Sequence, residues 1–291
     1  MLNKRKLVKI HTPEGQPGFL GPGHIARPVI SGRFSDSDPF IMLMDDMLDK
    51  KDNEPVGGPH PHAGFETVSL LLEGEMGDEV HKMKGGDFQL MTAGSGIVHT
   101  ETIQKMAKMR LLQLWLNLPK KDRAAVPRLQ ELPLEHVPSL SENGVSIRLY
   151  SGTLAGLTSP VQNYSPIIVA DITLAAGTTT VQQIPANYNT FLYVLNGSIK
   201  VGGSKEEKQL YQDQVGWLDL FDDTEESDLQ LNTEEGARFI LYAGKPTGES
   251  IISHGPFIAD SEEDIRRLYR EYRQGAMQHI AEVPESQRIL L

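Results

Sequence analysis

The amino-acid sequence predicts an all-β protein with two β-barrels in tandem, followed by a C-terminal helix. Short apolar runs broken by Gly, Asp and Asn recur as far as residue 245, which is typical of β-sandwiches and barrels. A faint internal repeat indicates that one barrel occurs twice. The last 32 residues change to a helical pattern.

The apolar runs have the length of ordinary strands and are bounded by turn residues. They occupy residues 65–72, 88–91, 111–116, 147–150, 167–174, 191–195, 199–201 and 238–242. The clearest β-hairpin is predicted over residues 191–201, because Asn196-Gly197 can supply the positive φ angles of a type I′ turn.

The repeat relates residues 67–74 to residues 190–197, with Thr, Leu and Gly coinciding at three positions. A period of this length indicates two copies of a barrel and excludes a solenoid of short repeats. The intervening segment, residues 119–144, is rich in proline and poor in apolar runs. We therefore predict domains at residues 1–143 and 144–291, the second including the helix.

The C-terminal helix is predicted from its cap and its periodicity. Ser261 fits the N-cap position, with Asp264 three residues later as in a capping box. Apolar residues then follow at i, i+3, i+4 and i+7, namely Ile265, Leu268, Tyr269 and Tyr272. Gly275 fits the end of the helix. We interpret this segment as structural.

Composition excludes several classes of function. The 291 residues contain 28 Lys+Arg and 39 Asp+Glu, a net charge of −11, and no long basic run, so direct nucleic-acid binding is not expected. The chain has no cysteine, which excludes disulfides, thiolate catalysis and Cys-based metal sites. No secretory signal or apolar stretch of 18 residues is evident, so we expect a cytoplasmic protein without membrane attachment.

Two short motifs predict a metal site. Residues 58–62 (Gly-Pro-His-Pro-His) place His60 and His62 at i and i+2, and residues 94–101 place His99 and Glu101 at the same spacing. Residues i and i+2 of a β-strand point to the same face. Two such pairs on neighbouring strands would aim three imidazoles and a carboxylate at one point.

The predicted ligands suit one divalent metal per chain: Fe(II), Ni, Co, Mn or Zn. Four protein ligands leave two positions open on a six-coordinate metal, as catalysis or sensing requires, whereas structural sites are closed. The second copy lacks these ligands, so we predict that residues 144–291 are metal-free. At the repeat offset of 123 residues His60 and His62 align with Gln183 and Pro185, and at a looser offset of 126 residues His99 and Glu101 fall near Glu225 and Ser227.

Taken together, these motifs resemble the signature of the pirin family, which belongs to the cupin superfamily. The resemblance covers nearly the whole chain and is strongest over residues 58–118. It rests on residues 58–62, 64–68, 72–74, 86–87, 91–94, 96–101, 112–118 and 254–257.

The resemblance implies two cupin-type β-barrels (double-stranded β-helices), with a single metal, usually iron, in the N-terminal barrel. Carried over by position, the ligands are His60, His62, His99 and Glu101. Some bacterial pirins cleave the flavonol quercetin with dioxygen. The animal member is a nuclear iron protein that modulates a transcription factor, and other bacterial members bind metabolic enzymes.

The chain departs from the family pattern at Ala63 and Ser95, where relatives commonly carry arginine. Two positive charges beside the ligands are thereby lost. Glu66 is a second candidate carboxylate, because many cupins place a ligand at that spacing, but Glu101 fits the pirin pattern better. His24 and His81 lie in loops and are interpreted as solvated loop residues, in preference to residues that support the ligands or line the rim of the pocket.

Two functions follow as hypotheses. The first is an Fe(II)-dependent dioxygenase of quercetin-like flavonols, in which Glu101 is both ligand and transient base for the substrate hydroxyl. The second is a non-enzymatic, redox-responsive iron protein that regulates a protein partner. An inert structural metal site is the third reading and fits least well, because structural sites are closed.

Overall fold

The structure, a computed structural model, describes residues 2–30, 32–77, 82–103, 106–203 and 206–291. β-strands dominate these residues, which confirms the predicted all-β fold class. The strands are β1 (Asn3–Lys4), β2 (Leu7–His11), β3 (Gln16–Pro17), β4 (His24–Pro28), β5 (Phe40–Lys50), β6 (His60–His62), β7 (Phe65–Glu73), β8 (Glu75–Gly77), β9 (Lys82–Lys84), β10 (Phe88–Thr92), β11 (Ile97–His99), β12 (Ala107–Asn117), β13 (Arg128–Leu132), β14 (Ser139–Glu142), β15 (Val145–Ser151), β16 (Thr153–Leu154), β17 (Leu157–Thr158), β18 (Ile167–Leu174), β19 (Thr179–Pro185), β20 (Asn189–Val201), β21 (Lys208–Tyr211), β22 (Val215–Leu218), β23 (Glu226–Asn232), β24 (Ala237–Gly244), β25 (Ile252–His254), β26 (Phe257–Ala259) and β27 (Arg288–Leu290).

Helices are few and short. They are α1 (Phe34–Ser37), α2 (Glu262–Arg273) and single 3₁₀ turns at Lys120–Asp122, Leu134–His136, Ile280–Glu282 and Glu285–Gln287. Within the ranges given above, no helix combines the length and apolar character needed to cross a bilayer.

Helix α2 begins and ends where the sequence predicts. The hydroxyl of Ser261 accepts a hydrogen bond from the backbone N–H of Asp264 at 3.1 Å, and Gly275 follows the helix with φ of +68°. Ile265 and Leu268 are buried, as expected for the apolar stripe, but Tyr272 is 38% exposed. The packed stripe is therefore shorter than the periodicity predicts.

The chain forms two compact units, and each contains two separate segments. The first-barrel unit comprises Glu14–His136 and Thr247–Leu291, and the second-barrel unit comprises Met1–Pro13 and Val137–Pro246. This grouping differs from the predicted consecutive domains at both chain ends. The absence of metal from residues 144–291 stays a prediction.

In the first-barrel unit the strand order of the main sheet is β27-β13-β10-β7-β12-β5-β4-β3, eight strands in all. The long strand β12 pairs antiparallel with both β5 and β7. Five of the nine residues of β7 are apolar and its first seven residues are buried, as expected for the centre of a sheet. Separate two-strand ladders join β6 to β11, β8 to β9 and β25 to β26.

In the second-barrel unit β20 is the hub of an eleven-stranded sheet and pairs with β21, β22, β23 and β24. The predicted hairpin over residues 191–201 is wrong, because β20 runs through Asn196-Gly197 without turning. Gly197 instead has φ of +73° and lies two residues after Leu195, where a β-bulge shifts the register with β24. A bulge and a tight turn need the same positive φ, so the Asn-Gly signal fits both.

The repeat positions Gly74 and Gly197 share this local geometry. Both have positive φ, +88° and +73° respectively. An added Cβ would lie 2.2 Å from the carbonyl oxygen of Lys108 in one unit and 2.1 Å from that of Gly236 in the other. Both sites therefore require glycine, which gives the faint repeat a physical basis.

Arg5 explains why the N-terminal strands belong to the second-barrel unit. It is only 1% exposed. Its Nε donates to the hydroxyl of Ser227 at 2.8 Å, its Nη2 donates to the carbonyls of Pro185 and Ala186 at 2.8 Å each, and its Nη1 donates to the carbonyl of Asp219. Burial lowers the pKa of the Arg5 guanidinium to about 10, an effect that Asp219 opposes.

Replacing Arg5 by alanine should therefore destabilise the second-barrel unit by about 3 kcal/mol, since several buried acceptors lose their donor at once. Urea denaturation followed by circular dichroism measures the change. Lys6→Ala is the matched control, because the Lys6–Glu206 ion pair is exposed and its loss should cost no more than about 1 kcal/mol. Equal effects of the two substitutions would contradict this role of Arg5.

Candidate metal centre

The ladder between β6 and β11 brings the two predicted motifs together. His99 lies directly opposite His60, and Ile97 lies opposite His62. Opposite residues of an antiparallel pair share a face, and so do residues i and i+2 of one strand. His60, His62 and His99 therefore project from the same side of this two-stranded ladder.

The three imidazoles converge at one point. Their ring centroids are 4.3 Å apart for His60–His99 and 4.9 Å apart for each of the other two pairs. One nitrogen from each ring can be chosen so that all three lie within 4.8 Å of one another. The Nε2 atoms of His60 and His99 are separated by 2.8 Å.

The environment keeps two of these rings neutral. His62 and His99 are each only 5% exposed. Burial, reinforced by His60, lowers the pKa of His62 to about 3, and burial with the neighbouring histidines places the pKa of His99 well below its usual value. Metal ions bind neutral imidazole, so these two rings are ready ligands at neutral pH.

The three rings fit a metal ion. Nδ1 of His60 donates to the carbonyl of Gly58 at 3.0 Å, which leaves Nε2 of the neutral ring as the ligating nitrogen. Two nitrogens bound side by side to one metal at about 2.1 Å lie roughly 3 Å apart, close to the observed Nε2–Nε2 separation. The trio can therefore hold a metal with small adjustments.

Glu101 lies beside the trio but is not one of the three clustered ligands. Its Oε1 accepts a hydrogen bond from Nε2 of Gln113 at 3.0 Å. Burial raises the pKa of the Glu101 carboxyl, while His60 and the Gln113 hydrogen bond oppose the rise. Ligation by Glu101 stays a prediction.

Sequence reasoning missed the contribution of β12. Gln113 holds Glu101, and the Trp115 ring lies 5.2 Å from the His62 ring. Phe65 completes an aromatic wall, at 5.1 Å from His62 and 4.2 Å from Trp115. Gln113 and Trp115 are i and i+2 on one strand, so the same parity that pairs the histidines could have indicated them.

The other candidates lie outside the imidazole trio. Glu66 is fully buried in β7 and accepts a hydrogen bond from the hydroxyl of Thr92 at 2.8 Å. His24 is buried; its Nδ1 accepts from the N–H of Leu20 at 3.1 Å, so its Nε2 must donate to Asp46, 2.9 Å away. His24 is thus structural rather than solvated. His81 falls outside the described residues.

A segment near the C-terminus, which we call the C-terminal strap (residues 277–283), completes the ladder. The N–H of Val98 in β11 donates to the carbonyl of Gln278 at 2.9 Å. Nδ1 of His279 accepts from the N–H of Ala281 at 3.1 Å, so Nε2 of His279 donates to the hydroxyl of Thr100 at 2.9 Å. These contacts flank His99 on both sides in the chain.

The strap also packs against β11 through apolar side chains. Met277 shares a buried cluster with Val98, and Ile280 shares another with Ile97. Adjacent residues of a strand face opposite sides, so the strap contacts both faces of β11, the strand that carries His99. The sequence pattern offered no signal for this long-range contact.

Comparison with known proteins agrees with the fold and the motifs. The family model described as Pirin matches residues 26–116, and the model described as Pirin C-terminal cupin domain matches residues 169–278. Pirin of Rattus norvegicus is 36% identical over 243 residues, which is 81% of each chain. The chain belongs to the pirin family.

Two further relatives of this pirin-family chain are bacterial. A Pseudomonas aeruginosa protein named “Putative quercetin 2,3-dioxygenase” is 33% identical over 291 residues, covering 95% of this chain and 99% of the relative. A crystal structure of quercetin 2,3-dioxygenase from Acinetobacter baumannii is 25% identical and superposes with a TM-score of 0.80, over 95% of this chain and 99% of the other. The tandem cupin architecture is thereby confirmed.

The two departures from the pirin pattern occupy different settings. Ala63 is only 1% exposed and packs against Phe257. Ser95 lines a cavity of about 250 Å³ together with Arg123 and Lys120. Ala63 is therefore uncharged and buried. Ser95 is also uncharged, but it lies in a cavity with the basic side chains of Lys120 and Arg123.

The lowered pKa of His62 predicts how stability depends on pH in this pirin-family chain without metal. Between pH 6.5 and about 3 the unfolded chain binds a proton at His62 that the folded chain does not. This one group should therefore reduce the free energy of unfolding by about 1.4 kcal/mol for each pH unit of acidification in that range.

Urea denaturation at several pH values, with a chelator present, measures this slope. His62→Gln should make it shallower, because glutamine does not titrate. His136→Gln, at an exposed position of the same unit, is the control and should leave the slope unchanged. An unchanged slope in His62→Gln would contradict the prediction.

Proposed function

We propose that this protein is an Fe(II)-dependent dioxygenase that acts on quercetin-like flavonols. The observation that carries the proposal is the convergence of His60, His62 and His99, with the Glu101 carboxylate beside them. Imidazole ligands suit Fe, Ni, Co and Zn, and a carboxylate is a further ligand typical of iron. Zinc has no redox chemistry, which leaves Fe, Ni and Co for a reaction with dioxygen. Among these we propose Fe(II), the metal that the pirin resemblance implies.

The three imidazoles would hold the metal, and we propose Glu101 as the fourth ligand. When bound, Fe(II) supplies the redox chemistry that lets dioxygen react with the flavonol. To bind the metal, the protein must present neutral imidazole nitrogens. Burial of His62 and His99 meets that requirement at neutral pH.

Glu101 is proposed as the base that takes the proton from the flavonol hydroxyl. A general base must lie within hydrogen-bond reach of that proton and be held in position. The amide of Gln113 donates to Oε1 of Glu101 and so holds the carboxylate in place, where one oxygen would bind the metal and the other would accept the proton of the substrate hydroxyl. Phe65 and Trp115 pack against His62 and exclude water from that side of the ring.

The relatives support the same activity. The Acinetobacter baumannii protein is named a quercetin 2,3-dioxygenase, and the Pseudomonas aeruginosa relative carries the same activity in its name. The departures at Ala63 and Ser95 remove two positive charges near the site. Because a flavonolate is an anion, we expect slower turnover than in relatives that keep both arginines.

Anaerobic metal analysis of the purified protein, followed by oxygen uptake with quercetin, tests the proposal. The Fe(II)-loaded protein should consume dioxygen while the yellow flavonol absorbance falls, and the metal-free protein is the control. If iron is confirmed and no flavonol gives uptake above that control, the enzyme proposal is wrong. The alternative function, a redox-responsive iron protein that regulates a protein partner, would then be favoured. A pull-down with the iron held in each oxidation state would test it.

A further inference from the structure

One face of helix α2 carries three arginines, Arg266, Arg270 and Arg273, at i, i+4 and i+7. Together with neighbouring polar and aromatic side chains they line a groove of about 630 Å³, which we call the arginine groove. Its remaining lining residues are His254, Tyr269 and Gln274.

The arginine groove is basic in a chain whose net charge is −11. None of its lining residues is acidic. Arg266 pairs with Glu262 at 2.8 Å, whereas the guanidinium of Arg270 has no ion pair within the described part of the chain. The guanidinium of Arg273 lies 5.8 Å from the centre of the Tyr269 ring. At least two guanidinium groups are therefore available to an anion.

Helix electrostatics explains only part of this pattern. The helix macrodipole stabilises positive charge in the last turn of a helix, which accounts for the presence of Arg270 and Arg273 there. It does not account for His254, which belongs to β25, whereas Arg266 lies before that turn and pairs with Glu262. Convergence of side chains from two elements on one groove points to a ligand.

The floor of the groove is fixed. The hydroxyl of Tyr269 lies 3.1 Å from Nδ1 of His254, and its ring meets the buried Phe257 ring edge-on at 4.9 Å. A held aromatic ring flanked by guanidinium groups gives a preorganised surface, which lowers the entropic cost of binding.

We propose that the arginine groove binds an acidic peptide segment of a protein partner in an extended conformation. Arg266 and Arg273 are seven residues apart, so they are separated by roughly 10 Å along the helix axis. In a polyproline II segment, which is extended and has three residues per turn, carboxylates three residues apart lie on the same side of the chain, roughly 9 Å apart. Guanidinium groups pair bidentately with carboxylates. This spacing would let two carboxylates of one peptide pair with Arg266 and Arg273 at the two ends of the groove.

A peptide fits better than nucleic acid. A duplex brings one phosphate charge per roughly 1.7 Å, and a chain with net charge −11 repels so dense an anion. A short acidic segment carries few charges and can be confined to the groove. This proposal uses none of the metal-centre residues and is independent of the dioxygenase proposal.

Fluorescence anisotropy of a labelled hexaglutamate peptide with the full-length protein at low ionic strength tests the proposal. The double variant Arg270→Gln/Arg273→Gln should weaken binding by about tenfold or more, since two charge-assisted contacts are lost. The matched control is Arg267→Gln/Lys121→Gln, with the same change of charge outside the groove. It should stay within about twofold of wild type.

Circular dichroism melting confirms that both double variants are folded. Equal weakening in the two variants, or no binding of the peptide by wild type, would overturn the proposal. Two competition experiments distinguish a peptide site from a site for other anions. Displacement by inorganic phosphate at the concentration of the peptide would show a small-anion site, and preference for a single-stranded oligonucleotide would show a nucleic-acid site. Either result would also overturn the peptide assignment.

Discussion

Replacing His99 by alanine is expected to abolish stoichiometric metal binding while the protein stays folded. His99 is the only member of the imidazole trio contributed by β11, and its Nε2 lies 2.8 Å from that of His60. Residues that merely support a ligand change metal affinity by 10- to 100-fold, so loss of a ligand itself should exceed about 100-fold. His60→Ala should behave in the same way.

Metal analysis after equilibrium dialysis gives the stoichiometry. Trp115 offers a second readout, because its ring is 5.2 Å from His62 and a bound paramagnetic ion should quench its fluorescence. His136→Ala, at an exposed position, is the matched control. Normal metal binding by both His60→Ala and His99→Ala would show that the site lies elsewhere.

Glu101→Gln should reduce flavonol turnover by about 100-fold or more, the usual effect of losing a general base. Glutamine keeps the shape of the side chain and can still accept the hydrogen bond from Gln113. It removes the charge and most of the basicity, so the loss reports on chemistry rather than on packing. Metal affinity should fall less steeply, because the three imidazoles remain.

Oxygen uptake at saturating Fe(II) and quercetin measures this turnover. Glu142→Gln, an exposed carboxylate of β14, is the matched control and should leave the rate unchanged. A rate for Glu101→Gln close to that of wild type would remove Glu101 from the catalytic role. It would leave the metal assignment of the histidines intact, because that assignment rests on the dialysis experiment.

The imidazole trio could be predicted from sequence because its information is local. The i, i+2 spacing of His60 and His62 fixes their common face on any β-strand. Placing His99 opposite them needed one further assumption, that the two motifs lie on paired strands, and the β6–β11 ladder meets it. The all-β class followed for the same reason, since alternation and turn residues act over short distances.

Other features depend on contacts between distant parts of the chain. Arg5 meets the carbonyls of Pro185 and Ala186, which are far away in sequence, and no periodicity encodes that contact. The Asn196-Gly197 signal was misread as a turn, because glycine with a positive φ also occurs beside a β-bulge and the pairing of β20 with β24 decides between the two. Gln113 and Trp115 were both missed, although their i, i+2 spacing on β12 is the same as that of the histidine pair in β6.

The C-terminal strap has a consequence for how the protein is made. Synthesis proceeds from the N-terminus, so His60, His62 and His99 leave the ribosome long before Gln278 and His279, which fix β11. A nascent chain thus displays every histidine of the trio before the strand that carries His99 is anchored. Anchoring of β11 therefore depends on a segment made after all three histidines, and a copy truncated before residue 278 should keep the histidines while the strand that carries His99 lacks these contacts.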